Sequence, residues 1–137
     1  MRKIFKRLFS VPEGERSELS IIMWWEFRRI PFNLIVGGVG FISLLFYFLF
    51  ISMSGKLKPG DDAIEPFALF LAPVAVNFCY TAGWIVELFV IVFSPERENT
   101  IGLLLFKSGL VFSLVVVSLP SAVWGIFVLL QTLGVVQ

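Results

Sequence analysis

Residues 33–53 read NLIVGGVGFISLLFYFLFISM, and no charged side chain interrupts them. A helix needs about 20 predominantly apolar residues to cross the hydrocarbon of a bilayer, so this stretch predicts a transmembrane helix. Working outward, residues 66–93 read PFALFLAPVAVNFCYTAGWIVELFVIVF, a second span with one charge, Glu87. Residues 101–130 form a third apolar stretch, with Lys107 near its start and Pro120 in its middle. We read it as one span rather than two. Each half alone is too short, and Ser118-Leu119-Pro120-Ser121 offers no charged or loop-like insert to reach water. The expected fold is an all-α integral membrane protein. Residues 1–32 supply cytoplasmic amphipathic and interfacial helices, and 33–137 form a transmembrane domain in which the kinked second and third spans make a hairpin.

Composition agrees with this reading and removes most chemistries. With 58% hydrophobic and only 15% charged residues, the chain is too apolar for a soluble globule, which averages about half apolar and a quarter charged. It contains no histidine, the commonest metal ligand, haem ligand and neutral-pH base. Its single cysteine, Cys79, lies in an apolar run and cannot form an intrachain disulfide or a zinc site. No glycine-rich phosphate loop is present, since the glycines at 37, 38 and 40 fall inside a hydrophobic span. No catalytic residue, metal ligand or cofactor is therefore expected. A net charge of +1 gives no reason to expect nucleic acid. Asp61, Asp62 and Glu65 lack the ordered spacing of a calcium loop and read as a solvated turn before Pro66.

The distribution of charge sets the orientation. Seven of the eleven basic residues, Arg2, Lys3, Lys6, Arg7, Arg16, Arg28 and Arg29, precede the first span. By the positive-inside rule the N-terminus is cytoplasmic, the 54–65 loop faces outward, and a three-span chain ends outside. A bacterial cytoplasmic membrane is the expected location.

Residues 1–9, MRKIFKRLF, place Ile4, Phe5, Leu8 and Phe9 on one helical face and Arg2, Lys3, Lys6 and Arg7 on the other. Such a segment binds anionic headgroups, each basic residue adding about 1 kcal/mol near the surface. Residues 10–15 form a turn-rich break with Ser10 and Glu13 at capping-box spacing, and a second helix is predicted from near Ser17. In it Trp24 and Trp25 suit the headgroup level and Arg28 and Arg29 the cytoplasmic side, before Pro31 turns the chain into the first span. Those four residues complete the expected membrane-surface anchor.

Within the spans, ionisable residues are functional candidates because an unpaired charge in hydrocarbon costs several kcal/mol. Folding the second and third spans about residues 94–100 sets Glu87 opposite Lys107, an expected intramembrane ion pair. Asn77, Tyr80, Trp84 and Glu87 recur every three or four residues and form a polar face, while Ala75, Cys79 and Gly83 form a small-residue stripe. Gly109, Ser113, Ser121 and Gly125 give the third span a second small-residue face. These faces suggest helices enclosed by protein. The expected function is a noncatalytic small subunit or assembly factor of a larger membrane complex, with lipids and other membrane subunits, or further copies of itself, as partners. The alternative is a homo-oligomeric cation channel lined by the polar face of the second span.

Overall fold

The computed structural model describes residues 17–56, 66–94 and 98–136, with side chains from residue 70 and residue 101 onward in the second and third stretches. These residues form three helices: α1 (Glu18–Ser54), α2 (Pro66–Phe93) and α3 (Glu98–Thr132). Each is long and apolar enough to cross a membrane. The basic segment with Arg2, Lys3, Lys6 and Arg7, the break at 10–15, and Lys58, Asp61, Asp62, Glu65 and Arg97 lie outside the described residues.

Local chemistry sets the helix ends. Ser17 has extended backbone, and its hydroxyl accepts from the Ser20 amide at 3.3 Å, satisfying one of the orphan donors of the first turn. α1 stops at Gly55, whose φ of +62° is the left-handed conformation that glycine adopts without a Cβ penalty. Beyond α3, Gly134 does the same at φ +72°, its amide donating to the Gln131 carbonyl at 3.0 Å.

The break expected at Pro31 is absent, because the interfacial helix and the first span are one helix of 37 residues. Proline removes a backbone donor and crowds the preceding turn. Here packing offsets that cost on both sides: Trp24 and Trp25 before the proline and Phe32 after it are seated in one buried cluster. At about 1.5 Å per residue α1 is about 55 Å long, well beyond the roughly 30 Å of hydrocarbon in a bilayer. Pro73 and Pro120 likewise lie inside uninterrupted helices.

The dominant helix pair also differs from the expected hairpin. α1 and α3 make the most extensive contact, and α2 packs less extensively on both. α1 and α3 run parallel at a nearly constant register. Gly40 faces Val117, the Ser43 and Ser121 hydroxyls are hydrogen-bonded at 2.8 Å, Tyr47 meets Trp124 edge to face, and Gln131 donates to the Ser54 carbonyl at 3.4 Å. Small residues make this approach possible, since a Cβ on Gly125 would lie 3.0 Å from the Phe50 ring. α2 runs antiparallel to both and lays its polar face against α1.

Candidate functional site

The best-built polar site lies where all three helices meet, and it is organised around Trp25. Aromatic side chains from each helix converge there, with Trp25 to Tyr80 centroids 5.2 Å apart and Trp25 to Phe106 centroids 6.0 Å apart, both edge to face. Phe32 completes the cluster at 4.6 Å from Tyr80. Trp25 and Phe106 are almost fully buried, at 2% and 1% exposure. Edge-to-face rings are worth about 0.5–1.5 kcal/mol beyond area burial.

Glycine lets the indole enter. A Cβ on Gly83 would lie 2.7 Å from Trp25 Cη2, so the ring occupies the space a side chain would need. The indole Nε1–H then donates to Glu87 Oε2 at 2.5 Å, and Glu87 is fully buried. A second glycine admits the carboxylate: a Cβ on Gly102 would lie 2.6 Å from Glu87 Cδ and closer still to both oxygens. The acid is thus held between a donor on α1 and a notch on α3. Two turns before Glu87, the Tyr80 hydroxyl donates to the Trp25 carbonyl at 2.5 Å.

Two further contacts extend the α1–α2 seam. Asn33 and Asn77 exchange amide hydrogen bonds at 3.0 and 3.2 Å, and Asn77 also donates to the Pro73 carbonyl at 3.0 Å. Arg29 Nη2 donates to Glu26 at 2.8 Å and to Thr81 Oγ1 at 2.9 Å. Arg28 stacks on Trp24, its guanidinium carbon 3.9 Å from the ring centroid, and donates to the Trp24 carbonyl at 3.1 Å. Among the described residues, two buried side-chain donors meet no acceptor: Arg29 Nε and Trp84 Nε1.

Several expectations are corrected here. Lys107 is exposed, whereas Glu87 is fully buried and accepts from the Trp25 indole. α3 begins at Glu98 rather than near Ile101, and Gly102 stands against Glu87. Trp24 and Trp25 belong to the bundle core. An amphipathic pattern does not say whether its apolar face meets lipid or protein, and here a third helix brings Phe106 to cover it.

The polar face of α2 is brought together as a unit, with Asn77, Tyr80 and Glu87 all bonded to α1. Of the small residues, Gly83, Ser121 and Gly125 make internal approaches. Ala75, Cys79 and Gly109 are exposed, the last two rimming an α2–α3 crevice of about 50 Å³ that buried Ser113 also lines. Sequence reasoning missed Gly102, Asn33, Thr81 and Phe106. Asn33 carried a usable signal, since it is the polar residue that opens a charge-free stretch and Asn77 is the only other asparagine within a span.

No protein-family model, no curated protein and no solved structure matches this chain.

Proposed function

We propose that the chain is a noncatalytic small subunit or assembly factor of a larger membrane complex. The observation that carries this reading is the closure of the α2 polar face by α1, through the Asn33–Asn77, Trp25–Tyr80 and Trp25–Glu87 hydrogen bonds. Groups that would line a pathway or perform chemistry instead hold the bundle together. Among the described residues, no three acidic, cysteine or histidine side chains gather as a metal site would require. The outside, by contrast, carries small residues with open space around them. A Cβ on Gly37, Gly38 or Gly109 would meet nothing within 4 Å, which suits close approach by a helix of another subunit.

The test is gentle extraction of the tagged chain from its native membrane, with particle mass and identification of every copurifying protein. Stoichiometric foreign subunits are expected. A discrete homo-oligomer that conducts cations, with conductance abolished in Glu87→Gln, would replace this reading with the channel.

We place the N-terminus in the cytoplasm, on the seven basic residues before the first span. A cysteine at position 56 in a Cys79→Ser background should then react with a membrane-impermeant maleimide added outside intact cells. Reaction only after the cells are opened would invert the orientation.

A further inference from the structure

A crevice of about 420 Å³ opens between the first turn of α1 and the last turns of α2, lined by Glu18, Ile21, Ile85, Phe89, Val92 and Phe93 among others. We propose that residues 1–9 of the same chain dock in it, seating Ile4, Phe5, Leu8 and Phe9 against α2 and setting basic side chains beside Glu18. Residues 1–16 lie outside the described residues and enter here by their sequence alone.

The crevice stands past the depth at which acyl chains would fill it. Residues 33–53 are free of charge and, as a helix, about 31 Å long, the thickness of the hydrocarbon. Toward the N-terminus follow Arg29, Arg28 and Glu26, and exposed Lys107, next to the Phe106 that packs on Trp25, extends this charged belt onto α3. Asn33 bonds Asn77 and Arg29 bonds Thr81, an antiparallel register that brings Ile21 level with Phe89, about 12 Å beyond Arg29. Phe89, Val92 and Phe93 are nevertheless 62%, 71% and 80% exposed. Apolar side chains held that far past an arginine belt meet headgroups or water, and a contiguous patch of them marks a contact surface.

The chain's own N-terminus fits this surface in position, length and charge. The chain enters α1 at Ser17, which caps the helix beside Glu18, so residues 10–16 lead directly from the rim of the crevice. Those seven residues reach at most about 25 Å, ample for a return along α2. Residues 1–9, as the helix their spacing predicts, match the wall from Ile85 to Phe93, each about 13 Å long. The rim is negative, with Glu18 on one side and on the other the carbonyl end of α2, whose last turn carries no basic residue. Arg2, Lys3, Lys6 and Arg7 complement it while their neighbours fill the apolar wall. The contact is independent of the subunit reading, since it joins two parts of one chain.

Cross-linking of the full-length chain in native membranes tests it. Phe5→Cys and Phe89→Cys, in a Cys79→Ser background with an N-terminal tag and a protease site introduced between residues 10 and 16, would be treated with a short thiol-to-thiol linker. Positions 5 and 89 are the midpoints of the two segments, so docking in either direction joins them. After proteolysis the tag should stay on the body of the chain at monomer mass, and Val123→Cys in place of Phe89→Cys should release it. Glu18→Lys should lower the joined fraction about threefold. In membrane fragments open on both faces, the thiol of Phe89→Cys, Cys79→Ser should react with a water-soluble maleimide about tenfold faster once Ile4, Leu8 and Phe9 are replaced by serine. Release of the tag with equal maleimide rates would mean a crevice left open or filled by lipid, and cross-linked dimers would assign it to a second copy; either result overturns the proposal.

Discussion

Gly102→Ala should destabilise the bundle by about 2 kcal/mol, although alanine is the better helix former. In an exposed helix interior the exchange would gain roughly 0.5–1 kcal/mol. At Gly102 the added methyl would stand 2.6 Å from Glu87 Cδ, so either the helices part or the carboxylate leaves its notch. Overpacking costs about 1–3 kcal/mol, and separating Glu87 from the Trp25 indole leaves buried groups unpaired at a further cost of about 1–3 kcal/mol. Those terms exceed the helix-propensity gain. Gly109 supplies the control on the same helix, because nothing lies within 4 Å of its added methyl. Denaturant unfolding in detergent should show Gly102→Ala destabilised and Gly109→Ala neutral or slightly stabilised. Equal stabilisation of both would mean that Glu87 does not occupy the notch.

The second large effect is a coupling between Trp25 and Glu87. Trp25→Phe removes the indole donor and Glu87→Met removes the acceptor at similar length. Each alone should cost about 2–4 kcal/mol, since each leaves its partner buried without its bond and Trp25→Phe also opens space beside Gly83. The double variant should lose less than the sum by about 1.5 kcal/mol or more, the range of a hydrogen bond to a charged group. The same cycle with Lys107→Met should give a coupling below about 0.5 kcal/mol, because Lys107 is exposed to solvent whereas Glu87 is fully buried. A Lys107 coupling larger than that of Trp25 would restore the simple mirror register of the two spans.

Much of this fold could be read from residues alone. The three long apolar helices, the limits of α2 and the start at Ser17 follow from hydropathy, Pro66 and a serine cap. The polar face of α2 was also legible, because Asn77, Tyr80 and Glu87 share one side of any helix. What they face was not. Pro31 reads as a break because its cost is local and visible, whereas the burial of Trp24, Trp25 and Phe32 that offsets it depends on helices far along the chain. Mirror arithmetic about the connecting residues sets position 107 opposite Glu87, whereas Gly102 stands against it, because the register is set by how the helices pack and not by the loop alone. The parallel α1–α3 pairing left only weak traces, in Gly40, Ser43, Ser121 and Gly125, because glycine and serine are common in membrane helices for many reasons.

The account rests on α2 turning its polar face onto α1 of the same chain, and cross-linking at the asparagine pair tests this most directly. Asn33→Cys and Asn77→Cys, in a Cys79→Ser background with a protease site introduced between residues 56 and 66, would be treated in native membranes with a short thiol-to-thiol linker. After proteolysis the two fragments should remain joined at monomer mass. Separate fragments together with cross-linked dimers, or rapid reaction of the thiol introduced at position 77 with a water-soluble reagent, would place that face on another subunit or a water-filled path and contradict the account.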